Sequence, residues 1–92
     1  MAMYAAKIKV KGRVHDVSFR TFTKRNADIL GLRGFVTNIS DGSVEVHVEG
    51  DKDNIEVLIE AIRTGSEKAI VKTVDVEWRP YSGIYTDFKI IY

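Results

Sequence analysis

Cysteine is absent from this 92-residue sequence, so neither a disulfide framework nor a thiolate metal site is available to it. Histidine is scarce as well: His15 and His47 lie far apart, which argues against a zinc site of ordinary ligand spacing. The single proline, Pro80, falls near the C-terminus, and no linker-like composition, low-complexity tract or internal repeat divides the chain. Long apolar runs are missing too. No segment approaches the roughly 20 residues that a bilayer-spanning helix needs, and the opening stretch MAMYAAKIKVKGR lacks the apolar centre of a signal peptide. Net charge is nearly nil, with 14 Lys and Arg against 13 Asp and Glu for a formal +1. That leaves little long-range attraction for nucleic acid or an anionic membrane, so any basic site must be local. These absences predict one domain over residues 1–92: a cytoplasmic monomer with no cofactor, no metal, and no nucleic-acid or membrane partner.

What is present fits a small globular fold. Hydrophobic residues make up 45% and charged residues 29% of the chain, far from the composition of a disordered segment. At this length folding buries roughly 60 to 65% of the unfolded surface, enough for one compact core. Residues 7 to 14 alternate strictly, with Lys7, Lys9, Lys11 and Arg13 on one face and Ile8, Val10, Gly12 and Val14 on the other, the period of a half-buried strand. From Phe19 the spacing turns helical, with Phe19, Phe22, Asn26, Ile29 and Leu30 on one face, Ala27 beside it and Gly31 as the stop. Residues 34 to 50 read as a hairpin turning at Ser40-Asp41-Gly42. Residues 52 to 64 place Ile55, Leu58, Ile59 and Ile62 at amphipathic spacing before Gly65. A further strand is expected over 70 to 79, and a short one from Phe88 to Tyr92 after the loop Pro80 to Asp87.

The order strand, helix, strand, strand, helix, strand predicts an α+β fold, a ferredoxin-like α/β sandwich whose antiparallel sheet carries both helices on one face. Its first strand is expected between the third and fourth, with the other sheet face open to solvent. A common RNA-recognition module shares this fold and stacks bases on aromatics of its first and third strands. Here those outward positions hold Lys7, Lys9, Lys11 and Arg13, then Glu45, His47 and Glu49, with Asp75 and Glu77 on the fourth strand. A basic strand between acidic ones reads as cross-strand pairing, with His47 as a solvent-face residue, and RNA binding through the sheet is disfavoured.

The short connection His15-Asp16-Val17-Ser18 joins a central strand to a helix N-terminus, where unpaired N–H groups and the dipole favour an anion. Arg20 lies in that first turn, and guanidinium meets phosphate oxygens in a two-pronged geometry. Asn38 ends a strand that runs in the same direction as the first, so Arg20, the loop amides and Asn38 are expected on one rim of the sheet. Asn can orient water or stabilise developing charge. Taken singly, Arg20 also reads as a solvated helix residue and Asn38 as a residue ahead of a turn.

Two longer stretches resemble a known family. VKGRVHDVSFR is similar to the acylphosphatase signature, an aliphatic residue followed by x-G-x-V-Q-G-V-x-F-R. GFVTNISDGSVEVHVEG is similar to that family's second signature, G-aromatic-small-x-N-x3-G-x-V-x5-G. The resemblance extends through Ala27, Leu30-Gly31, Gly34, Gly65 and YSGIYTDF, nearly the whole chain. It implies metal-independent hydrolysis of the carboxyl-phosphate bond of acyl phosphates to a carboxylate and inorganic phosphate. It also implies that the amides of His15, Asp16, Val17, Ser18 and Phe19 cradle the phosphate with Arg20, and that Asn38 positions the attacking water.

Both main departures from the pattern fall in the cradle. His15 stands where the family has Gln and Asp16 where it has Gly; Thr37 replaces a longer side chain. Asp16 brings a carboxylate towards an anion site, which weakens binding if it points inward. His15 offers a donor and an acceptor in place of the Gln amide, and its charge would add pH dependence near neutrality. The alternative reading is therefore a catalytically weak or inactive anion-binding or protein-interaction domain. Tyr81 and Tyr85 are expected to cover the sheet edge, with a substrate path as the other option.

Overall fold

The alternation of the first segment is realised as an edge-to-edge strand ladder at the centre of a five-stranded sheet. The computed structural model describes residues 2–15 and 17–92, and of Val17 the backbone alone. The elements are β1 (Met3–Arg13), α1 (Val17–Ile29), β2 (Arg33–Asn38), β3 (Val44–Asp51), α2 (Lys52–Thr64), β4 (Ile70–Pro80) and β5 (Phe88–Ile91). Strand order is β4-β1-β3-β2-β5, which places β1 between β3 and β4 as its position in the ferredoxin-like sandwich requires. β1 pairs antiparallel with β3 and with β4, and β2 pairs antiparallel with β3. β5 departs from the expected all-antiparallel sheet. It pairs parallel with β2, so the sheet is mixed, because the chain after β4 crosses to the far edge before re-entering.

Inward residues of every strand meet the helices in one core. Ile8, Val10 and Val14, then Val36, Val44 and Val46, are fully buried together with Phe19, Ile55, Leu58 and Ile62. α2 buries the four residues its spacing predicts, and Asp51 caps it by accepting from the Asp53 N–H. α1 starts at Val17, ahead of the Phe19 expected, and turns a different face inward. At about 100° per residue, Phe19, Thr23, Ala27 and Leu30 form one stripe. Phe19, Thr23 and Ala27 are buried, whereas Ile29, placed on the core face by the sequence pattern, is 77% exposed. The Thr23 hydroxyl makes this possible by donating to the Phe19 carbonyl, which satisfies it inside the core. At the end of α1, Leu32 N–H reaches the Ala27 carbonyl while Gly31 takes φ 68°, a left-handed stop at the residue expected.

Lys7 lies between His47 and Glu77, and Lys9 between Glu45 and Asp75, the register expected for the polar face. The close contacts run along strands or to a turn instead: a hydrogen bond between His47 and Glu45, and ion pairs of Arg79 with Glu77 and Lys9 with Asp41. This face is also less open than expected. Residues 81–87 pass over its far end, where the buried Glu49 carboxylate accepts from Ser82 N–H, Ser82 hydroxyl and Gly83 N–H. Tyr85 meets Phe35 edge-on, and Phe35 stacks on His47 at 4.5 Å between centroids.

Candidate active site

β1 carries an irregularity near its end. Its register with β4 shifts between Lys11 and Gly12, and Gly12 has φ 136°. A Cβ at Gly12 would sit 2.1 Å from the Ile70 carbonyl oxygen, so only glycine lets the two backbones pass this closely. The chain then buries Val14 and enters α1, where buried Phe19 anchors the first turn in the core.

The rim above this point follows from the strand order. The start of β4, the end of β1, the start of β3, the end of β2 and the end of β5 stand side by side. The cradle grows from the end of β1. Asn38 ends β2 opposite Val44, and Tyr92 follows Ile91, which pairs with Thr37. On the helix wheel Arg20 falls on the flank of α1 adjoining the buried stripe, and its guanidinium carbon lies 4.7 Å from the centre of the Tyr92 ring. Tyr92 thus links Arg20 to the end of β2. It was not anticipated from the sequence, because only the parallel pairing of β5 brings it there.

Two polar atoms at this rim are shielded from solvent without a hydrogen-bond partner among the described residues: Nε of Arg20 and Oδ1 of Asn38. Leaving such an atom unsatisfied costs about 1 to 3 kcal/mol, so a protein keeps one where a ligand completes it. The first four N–H groups of α1 likewise have no acceptor within the helix, and its first turn holds no acidic side chain to offset the dipole.

His15 is tied to the opposite wall. Its Nε2 lies 2.8 Å from the Ser43 carbonyl, and since a carbonyl only accepts, Nε2 carries the proton. The same carbonyl accepts from the Ile39 N–H at 2.8 Å, so one oxygen joins the cradle to the turn that follows Asn38. Asp41 holds this turn by accepting from the Ser43 hydroxyl and N–H while pairing with Lys9 at 3.0 Å. The Ser43 hydroxyl and N–H, then Lys9, hold the Asp41 carboxyl well below the ordinary carboxylate value; the hydrogen bond to Asp41 raises the Lys9 ammonium. Asp41 was legible only as a turn residue, and Ser43 was not singled out.

Of the predicted site residues, His15, Ser18, Arg20 and Asn38 therefore gather at one rim. Phe19 does so through its backbone alone, its ring being in the core. Asp16 and the side chain of Val17 lie outside the described residues. Among the described residues, no group of three or more His, Cys, Asp or Glu side chains is arranged to hold a metal ion. No helix among the described residues is long and apolar enough to cross a membrane.

Comparison with known proteins agrees with this geometry. The acylphosphatase family model matches residues 6–90. An acylphosphatase of Thermotoga petrophila is 43% identical over 90 residues, covering 98% of this chain and 99% of that protein. One from Salinibacter ruber is 44% identical over 82 residues, covering 89% and 86%. The crystal structure of acylphosphatase from Bacillus subtilis superposes with a TM-score of 0.92 at 34% identity, over 97% of this chain and 99% of that one.

Proposed function

The chain belongs to the acylphosphatase family, and from that premise we propose how its residues hydrolyse the carboxyl-phosphate bond of acyl phosphates. Arg20 and the backbone N–H groups of residues 15 to 19 hold the phosphoryl oxygens. The Asn38 side-chain oxygen orients the water. That water attacks phosphorus in line with the scissile bond; the phosphorus–oxygen bond breaks, and the acyl oxygen leaves with the electron pair as a carboxylate. The water's proton passes to phosphate oxygen or solvent, since so good a leaving group requires no strong protein base. The task left to the protein is positioning and stabilisation of charge on the equatorial oxygens.

The observation that carries these roles is a pair of buried atoms with no hydrogen-bond partner among the described residues, Arg20 Nε and Asn38 Oδ1, at one rim. One is a donor suited to a phosphate oxygen and the other an acceptor suited to water. His15, with Nε2 committed to the Ser43 carbonyl, positions the cradle. Catalytic weakness is not favoured by relatives at this identity that are named acylphosphatases.

Benzoyl phosphate hydrolysis by pure protein in EDTA tests the assignment. Arg20→Ala and Asn38→Ala are expected to lower kcat/KM by about 100-fold or more, the cost of removing one placed electrostatic group. Arg20→Lys is expected to recover little, because a point charge does not reproduce the fork. Variants within threefold of the wild type would rule these roles out.

A further inference from the structure

On the other flank of α1 lies a groove of about 480 Å³, walled by Ser18, Phe22 and Arg25 on the helix and by Ser66, Glu67 and Lys68 after α2. We propose that this groove seats the departing acyl group, and that it favours acyl phosphates whose acyl moiety carries a second negative charge. The proposal rests on the roles given above to the cradle and Asn38.

In-line transfer requires the entering water and the leaving oxygen on opposite sides of phosphorus. The strand order supplies those sides. The cradle springs from the end of β1, with β3 and Asn38 on one side of it and β4, preceded by the loop holding Ser66 to Lys68, on the other. The helix wheel agrees: the groove-lining residues of α1 centre roughly 150° away from Arg20. A group leaving opposite the Asn38 water is thereby directed into the groove. Ser18 connects the two regions, since it is one of the residues assigned above to the cradle and it lines the groove.

Groove chemistry defines the acyl class. Arg25 and Lys68 place two exposed cations against the one carboxylate of Glu67, and half-buried Phe22 supplies an apolar wall. Oγ of Ser66 is shielded from solvent with no hydrogen-bond partner among the described residues, so turning it towards a ligand oxygen breaks no existing bond. From Ser18 to Arg25 the helix rises about 10 Å, and the Arg25 side chain leans back towards the N-terminus. That span suits an aryl acyl group ending in a carboxylate.

The test compares 4-carboxybenzoyl phosphate with benzoyl phosphate, each corrected for its spontaneous rate, in wild type and in Arg25→Ala/Lys68→Ala. The double variant is expected to lower the ratio of kcat/KM values, charged over uncharged, by about tenfold. In the wild type, and not in the variant, that ratio is expected to fall as salt is raised. A ratio unchanged by the double substitution, or unaffected by salt in the wild type, overturns the proposal. Failure of the underlying roles has a different signature: benzoyl phosphate turnover would not respond to Arg20→Ala or Asn38→Ala.

Discussion

At the residue scale, the site is built from incomplete hydrogen bonding next to complete hydrogen bonding. Among the described residues Arg20 Nε and Asn38 Oδ1 have no hydrogen-bond partner, whereas the turn beside them is tied through Ser43 and Asp41. The same contrast makes a pH prediction. A carboxyl whose folded pKa lies below its unfolded one contributes stability above the unfolded value and loses it as pH falls through the folded value. For Asp41 the ordinary value is 3.8 and the folded one is lower. Asp41→Asn should therefore destabilise by a constant amount from pH 5 to 8 in urea unfolding, and the difference should shrink below about pH 4. A difference that does not change with pH would mean that the Asp41 charge does not hold the turn.

Elements bring these residues together by two devices. The first is the register shift at Gly12, where β1 and β4 pass closely and stay paired to Arg13, the residue from which the chain runs on to His15. Gly12→Ala would drive a Cβ against the Ile70 carbonyl in a conformation that L side chains rarely adopt. A loss of about 3 kcal/mol or more is expected in denaturant unfolding, and a loss below 1 kcal/mol would refute the close-approach account. The second is the strap over residues 81–87, held by three hydrogen bonds to the Glu49 carboxylate, which is 6% exposed. Glu49→Gln turns an amide N–H group towards these donors and should cost about 1.5 to 3 kcal/mol. Faster proteolytic cleavage within 81–87 is the direct readout. Unaltered cleavage and stability would show that the loop is held by its tyrosines instead.

For the whole molecule, the long-range ladder sets the kinetics. β1 pairs across almost the full chain, from Tyr4 with Pro80 to Arg13 with Ile70, and also with β3. Loop closure on that scale precedes most of the native contacts, so refolding is expected in milliseconds to seconds rather than microseconds. Stopped-flow mixing with a denaturant chevron decides this, and a sub-millisecond refolding phase of full amplitude would contradict it.

Most of the architecture was legible in the sequence because hydrophobic period reports a local geometry: two for β1, β3 and β4, and 3.6 for α2. The candidate residues His15, Arg20 and Asn38 were singled out for a different reason, since they lie in two stretches that resemble one family's signatures. What periodicity did not settle was how each element is rotated and what covers it. Ile29 is apolar and helical, yet it faces solvent because Thr23, with its hydroxyl satisfied by the Phe19 carbonyl, takes the inward stripe. β5 lies parallel to β2, and Tyr92 over Arg20, because the chain crosses the sheet after β4, a choice made by long-range pairing and by Glu49. The sequence by itself determined the elements and the chemical groups of the site. Only the tertiary structure decided which of those groups lack a partner among the described residues, and that Asn38 and the groove beside α1 stand on opposite sides of the end of β1, because both depend on the order in which distant strands pair.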